Sequence, residues 1–336
     1  MIYIQTVTDK LLNIIASLHQ LMRLRTEIKI IPSSGKVHYS DQLFCIGSCF
    51  TEHIHQKLLN GFFNSHSNPC GIVYNPASIA DQVDRIVNQT WFTSDDLIQD
   101  HELFHGLFHH GDFSSLDEQE ALQKMNHALS LAYQKMIQSK WILITLGTSI
   151  VYRHIEKNKI VANCHKIPGH QFHRFFLEVD EMVRRLSTMM EGIDKLLPGI
   201  HLIFTISPIR YLSEGFTENS RSKARLILAI ETICKVFPQA TYFPAYEIVL
   251  DDLRDYRFYK EDLIHPNDQA VQYIWEKFMD TYFDEETARV WNEMNKLNNE
   301  KNHRSLHPDT LAHKKFTSLL EGKLNAARRS YPELNL

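Results

Sequence analysis

The chain has no basic excess, no apolar run of bilayer length and no closely spaced pair of cysteines. Lys and Arg number 36 against 40 Asp and Glu, a formal charge of -4. That leaves no surplus of cations to neutralise phosphates, which argues mildly against nucleic acid as the main partner, and none is expected. The longest apolar runs, such as Trp141 to Leu146, are strand-sized, so no membrane span is expected. The five cysteines (Cys45, Cys49, Cys70, Cys164 and Cys234) contain no C-x-x-C, which argues against a zinc ribbon or a thioredoxin-like site. An odd, unpaired set of thiols suits a reducing compartment, and a cytoplasmic protein is expected. The N-terminus lacks a basic stretch leading into an apolar core, so it does not read as a secretory signal. Internal repeats and low-complexity linkers are also missing.

What is present is a chain of 336 residues, 43% hydrophobic and 23% charged, enough for a sizeable buried core. Residues 1–21 carry a weak helical stripe (Leu11, Leu12, Ile14, Ile15, Leu18, Leu21), and Met22 then opens "MRLRTEIKIIP". The segment is either an upstream extension with Met22 as the natural start, or a helix packed on the domain. The main domain is expected over 22–283 and a polar helical extension along its outside over 284–336. Buried strands are predicted at Gln42 to Gly47, in the stretch starting at Gly61, at "WILITLG", at "HLIFTISP" and at "ATYFPAYEIV". These runs lack alternation, as in a parallel sheet covered on both faces. Helices are predicted after Ser48, where Phe50, Ile54 and Leu58 share a face, and from Pro76 to about Val87. Further helices are predicted over Glu118 to Ser139, Phe175 to Leu197, Ser222 to Phe237 and from about Pro266, with a hairpin around Lys157-Asn158. Strands alternating with helices predict a doubly wound α/β domain, a three-layer α/β/α sandwich with a mostly parallel sheet. Sites in such sheets form at the carboxyl ends of the strands, here Gly47-Ser48, Gly71, Gly147 and Ser207.

Two stretches carry chemistry. "LFCIGSCFTEHI" sets Ser48 and Cys49 side by side where a strand turns into a helix. Backbone N–H groups and the helix dipole favour developing negative charge there. A serine at that position is otherwise an ordinary N-cap. At such a turn only one of the two side chains points to the mouth of the site, and the other turns into the helix or core. "DLIHPN" places Asp262 and His265 with two residues between them. That spacing lets the carboxylate hold Nδ1 and leaves Nε2 free for a proton.

The order of these motifs resembles the SGNH/GDSL hydrolase superfamily. Within it, "IGSCFTEHI", "NPCGIVYNPASI", "ITLGTSIVY", "VANCHKIP", "TISPIRYL", "SKARLILAI", "YFPAYEIVLDDLRDYRFY" and "DLIHPN" closely resemble the GSCFA family, over roughly Leu24 to Phe283. The resemblance implies Ser48 as nucleophile, His265 as general base and Asp262 as the residue that orients it, with Cys49 packed away. It implies oxyanion-hole donors in the N–H groups of Ser48 and Gly71. A third donor in the superfamily is an Asn in a G-x-N-D motif, but this chain reads Gly147-Thr148-Ser149-Ile150. Asn75 and Asn163 are the amides that could replace it. Thr51 stands where the family motif has Ala.

Weaker signals flank these. His105 and His109 lie four apart, but packing or a pocket wall is expected for "HHGDFS" and no metal. His165 and Arg210 are candidates for substrate contact, Arg210 as an anion holder, and His109 as a pocket residue. The implied function is a serine esterase removing a small O-acyl group from a carbohydrate or other polar compound through an acyl-enzyme, without cofactor. Acyl transfer to an alcohol would use the same residues. The missing amide favours a non-catalytic binding protein, and a thiol-dependent protein built on Cys49 is a further class. The expected partner is a small-molecule or glycan ester. Oligomeric state does not follow from sequence.

Overall fold

The computed structural model describes residues 25–213, 215–303, 307 and 309–336. The stripe over residues 1–21 and Met22 lie outside them. The chain starts its core with β1 (Gln42–Gly47), buried at every position, and turns at once into α1 (Cys49–Asn60). β2 is short (Ser65–Ser67), and α2 (Pro76–Asn88) follows with Asn75 as N-cap and Pro76 in the first turn. A two-stranded ribbon, β3 (Leu97–Asp100) and β4 (Leu103–Gly106), precedes α3 (Glu118–Met136). β5 (Ser139–Leu146) is the central strand. A three-stranded antiparallel sheet then forms from β6 (Ile150–His154), β7 (Lys159–Val161) and β8 (Phe172–Phe176). The rest runs α4 (Val179–Leu196), β9 (His201–Ile206), α5 (Gly215–Val236), β10 (Ala240–Phe243), α6 (Asp268–Tyr282), α7 (Glu285–Lys301) and α8 (Leu311–Ser330).

The main sheet has the order β10-β9-β5-β1-β2 and every pairing in it is parallel. In chain order this is the 2-1-3-4-5 arrangement of doubly wound sheets, with its switch point between β1 and β5. Alternate residues feed two cores. Phe44, Ile46, Ile142, Ile144, Leu202 and Phe204 face α2, α3, α4 and α5. Leu43, Cys45, Leu143 and Ile203 face α1, α6 and α7. The fold is thus the expected three-layer sandwich.

Two expectations change. The Phe175-to-Leu197 helix is split, because Phe172–Phe176 pairs antiparallel with Ile150–His154 before the helix starts at Val179. The C-terminal helices do not merely run along the outside. Val290, Trp291, Met294 and Leu297 of α7 are buried in the second core, and Trp291 donates to the Lys57 carbonyl at 2.9 Å. Burying a side chain of that size is worth about 2–3 kcal/mol, so α7 is part of the domain's energetics.

Candidate active site

The β1–α1 turn is fixed by backbone sterics before any chemistry enters. Gly47 has φ +140°, and a Cβ there would lie 2.2 Å from the Thr145 carbonyl of the neighbouring strand. Only glycine lets β1 run this close to β5 at its end. The Gly47 N–H donates to Asn68 Oδ1 at 2.8 Å, and Asn68 Nδ2 donates to Glu52 of α1 at 2.5 Å. Val73 N–H donates to the Gly47 carbonyl, and the Gly147 and Thr148 N–H groups both donate to the Tyr74 carbonyl. The loops at the carboxyl ends of β1, β2 and β5 are thereby laced together.

Ser48 is the continuation of β1. Its backbone is extended (φ -67°, ψ 170°), and its N–H donates to the Thr145 carbonyl at 3.0 Å. The residue is 1% exposed, and its Oγ accepts the Phe50 N–H at 3.4 Å as the N-cap of α1. The helix begins one residue later, and Cys49 is the half-buried, partly open member of the pair. Of the two expected roles, Ser48 as the facing residue and Cys49 as the packed one, the burial runs the other way: Ser48 is the buried member and Cys49 the partly exposed one. Burial raises the Cys49 pKa, while its own N–H, the Lys223 charge and the Phe50 N–H pull the other way.

The expected oxyanion donors are likewise engaged. The Ser48 N–H is taken up by Thr145, and the Gly71 N–H donates to the Asn68 carbonyl at 2.8 Å, closing a turn against His110. Asn75 caps α2, its Oδ1 accepting from the Ser78 N–H and its Nδ2 donating to Ser78 Oγ. Asn163 Oδ1 accepts the His165 N–H in a turn. In this structure the N–H groups of Ser48 and Gly71 and the Asn75 amide are bonded within the scaffold, and Asn163 is bonded through its Oδ1.

Asp262 and His265 meet as the spacing predicts. His265 Nδ1 lies 2.7 Å from Asp262 Oδ2, and Asp262 Oδ1 accepts the Ile264 and His265 N–H groups at 2.8 and 3.0 Å. Those two backbone bonds, then the imidazole, hold the Asp262 carboxyl down at about 2. The loop is strapped by Lys260 N–H to the His265 carbonyl at 2.7 Å and by a bridge between Tyr259 and Pro266. No hydrogen bond joins His265 to Ser48 or Cys49 among the described residues. His265 is close enough to His53, one turn along α1 from Cys49, for the two rings to interact electrostatically.

Two other candidates, His109 and His165, are bound up in packing and loop structure. His109 is fully buried, packs against Phe92 and Phe113, and has no partner on either ring nitrogen. It is a core residue and not the pocket wall expected of it. Burial pushes its pKa down to about 3. The folded ring therefore stays neutral while the unfolded one gains a proton below pH 6.5, so stability falls as pH falls from 6.5 towards 3. His109→Leu should lessen the stability lost between pH 7 and 5.5 by about 1 kcal/mol, read from urea midpoints of both proteins at the two pH values. His165 stacks on His105 at 4.7 Å, and its Nε2 pairs with the Gly106 carbonyl at 2.9 Å, so it shapes the loop. Arg210 lies against the Asp262–His265 loop, its N–H on the Ile264 carbonyl.

Lys223 is the residue that sequence reasoning missed. It is 1% exposed, and its Nζ donates to the Gly147 carbonyl at 2.7 Å and the Ser207 carbonyl at 2.6 Å. It ties the ends of β5 and β9 together under the site, 5.5 Å from the Tyr246 ring. The signal was there: Lys223 is in phase with Leu226, Ile230 and Ile233, the buried stripe of α5. Among the described residues no group of three or more His, Cys, Asp or Glu is arranged to hold a metal, and no helix is long and apolar enough to cross a membrane.

The β1–α1 turn, with Ser48 and Cys49, and the Asp262–His265 loop are thus the two chemistry-bearing features of this doubly wound sheet. The chain belongs to the GSCFA family, whose model matches residues 42–278. No curated protein matches it in sequence. Three solved structures are similar. One is a mutant acetyl esterase with acetate ion (10% identity, 78% of this chain, 100% of that chain, TM-score 0.34). Another is a putative platelet activating factor from Streptococcus pneumonia (11% identity, 83% of this chain, 98% of that chain, TM-score 0.37). The third is a carbohydrate esterase family 3 protein from Talaromyces cellulolyticus (8% identity, 77% of this chain, 99% of that chain, TM-score 0.33).

Proposed function

We propose that this protein hydrolyses an ester through an acyl-enzyme formed at the β1–α1 turn. The observation that carries the reading is the Asp262–His265 pair, bonded at 2.7 Å at the carboxyl edge of the sheet. Asp262 fixes the tautomer with the proton on Nδ1, which leaves Nε2 as the base. The attacking atom is Cys49 Sγ, because Cys49 is the open side chain of the pair and Ser48 is the cap. The thiol gives its proton to His265 Nε2 as sulfur bonds to the acyl carbon. The tetrahedral intermediate collapses to a thioester, and the leaving alcohol takes the proton back from His265. Water, deprotonated by the same imidazole, then cleaves the thioester, releasing the acid and restoring the thiol. With an alcohol in place of that water, the same residues perform acyl transfer. The substrate fitting this reading is a small O-acyl group on a polar alcohol such as a carbohydrate.

His265→Ala should lower kcat/KM on p-nitrophenyl acetate by about 10²–10⁴-fold. Iodoacetamide should label Cys49, as read by peptide mass spectrometry, and a fluorophosphonate should leave Ser48 unmodified. A folded wild type with neither turnover nor labelling would replace this reading with that of a non-catalytic binding protein.

A further inference from the structure

Arg210 leaves the end of β9 three residues after Ser207 and reaches the Asp262–His265 loop, its N–H on the Ile264 carbonyl at 3.3 Å. Its guanidinium lies 4.0 Å over the Tyr259 ring and 5.2 and 5.9 Å from the rings of Tyr256 and Phe216. No carboxylate of the described residues pairs with it. Its Nη1 is buried without a hydrogen-bond partner, and so is the hydroxyl of Tyr259, a residue only 7% exposed. Two polar groups without a well-formed hydrogen bond, one cationic, thus sit side by side on the strap that carries the Asp–His pair, close enough that Arg210 opposes the burial that raises the Tyr259 pKa.

Leaving them unmatched costs the free protein stability, because the loss from stripping water off a buried donor is offset only by an acceptor. A cation–π stack satisfies the charge of a guanidinium but none of its N–H groups. The rings that cover it, Tyr256 and Phe216, are themselves 58% and 59% exposed. Exposed side chains change rotamer in nanoseconds, so turning one aside opens Nη1 without unfolding the loop. Tyr246 lies between Arg210 and Lys223, feeling the charge of the first and lying 5.5 Å from the amine of the second.

We propose that Arg210 and the Tyr259 hydroxyl form an anion subsite, so that the ester cleaved here carries an oxyanion group, a carboxylate or a phosphate. Arg210 donates from Nη1 and Tyr259 from its hydroxyl, and the two oxygens accept. This rests on the active-site reading above and narrows its substrate class.

The test is direct binding, which needs no turnover. Succinate and inorganic phosphate are titrated calorimetrically into wild type, Arg210→Met, Arg210→Lys and Tyr259→Phe, at constant ionic strength and with folding checked by circular dichroism. Saturable binding of either probe by wild type is expected, weakened about 10- to 100-fold in Arg210→Met. Tyr259→Phe keeps the ring stack and loses only the hydroxyl donor, so it should weaken binding by a smaller factor with the fold intact. Arg210→Lys should fall between, since one ammonium cannot replace the fork. Comparison of the two probes separates a carboxylate from a phosphate group. In parallel, the ratio of kcat/KM for mono-p-nitrophenyl succinate over p-nitrophenyl acetate should fall at least about tenfold in Arg210→Met. Absence of binding by wild type, or equal binding by wild type, Arg210→Met and Tyr259→Phe, overturns the subsite. Anion binding without any ester turnover would keep the subsite and remove the hydrolase reading.

Discussion

Cys49→Ala is expected to abolish ester hydrolysis, with kcat/KM on p-nitrophenyl acetate falling by about 10³-fold or more, while Ser48→Ala stays within a few-fold of wild type. The asymmetry follows from one peptide unit. Ser48 keeps β1's extended backbone, gives its N–H to Thr145, accepts the Phe50 N–H on its Oγ, and is 1% exposed. Exposing that hydroxyl would break a cap worth about 1 kcal/mol and draw a strand residue out of its ladder. Cys49 incurs neither cost, being the first residue of the helix. Its thiol pKa is raised by burial, so it rests protonated and depends on His265 to remove the proton. That dependence separates the mechanism from a free reactive thiolate. His265→Ala should slow iodoacetamide at Cys49 as well as ester turnover. Ser48→Ala has its own signature, a stability loss of about 1 kcal/mol in urea with the activity kept. Cys49→Ser puts a hydroxyl at the open position and should retain part of the activity, because the base and its carboxylate are unchanged. Loss of turnover in Ser48→Ala alongside an active Cys49→Ala would return the nucleophile to the serine.

The same turn shows where sequence legibility ends. The strand Gln42–Gly47, the helix face of Phe50, Ile54 and Leu58, and the bond between Asp262 and His265 were all readable, because periodicity and local spacing determine them. Which of two adjacent side chains opens to solvent depends on the residue at which strand phase yields to helix phase. A shift of one reverses the answer, and composition carries no trace of it. The partners of the expected oxyanion donors were hidden for a related reason. An N–H group reads as available from sequence, whereas the Ser48 N–H is taken up by Thr145, nearly a hundred residues on, and the Gly71 N–H by a tight turn back to Asn68. β8 was hidden because its pairing partner, β6, lies about twenty residues upstream and makes an aromatic run into a strand. The integration of α7 was hidden in the same way: its polar composition dominates, and a single Trp291 packed on Gly61 and Lys57 decides its place. Lys223 was legible in principle, as a lysine on an apolar stripe, but its partners are carbonyls at two strand ends that no local pattern announces.

Lys223→Met should change how stability depends on pH, and the sign is fixed. Burial pushes the Lys223 pKa from its ordinary 10.5 down to about 7, with the charges of Cys49 and Glu247 opposing. Above pH 7 the folded amine is largely neutral, while the unfolded chain still holds the proton until about 10.5. The unfolded state binds more protons across that window, so this group's contribution to stability rises with pH from 7 to 10.5. A neutral amine carries two N–H groups, and there are two carbonyls to receive them, at 2.7 and 2.6 Å. At about 1.4 kcal/mol for each pH interval of one once the amine is neutral, the wild type should gain about 1.5 kcal/mol over the variant between pH 7 and 8.5. The buried thiols Cys45 and Cys70, raised to about 12, destabilise the fold as pH passes 9, but they are common to both proteins and cancel in the difference. The difference is also the sound readout for another reason. At pH 7 the substitution strips two buried carbonyls of their donor, at about 1–3 kcal/mol each, and removes a desolvation penalty of similar size, so the absolute change there is a near balance. Urea unfolding of both proteins at pH 7, 7.75 and 8.5 measures the slope. Parallel slopes would mean that Lys223 keeps its proton throughout. It would then be a fixed positive charge under the turn, lowering the Cys49 pKa at every working pH instead of releasing that hold as the pH rises.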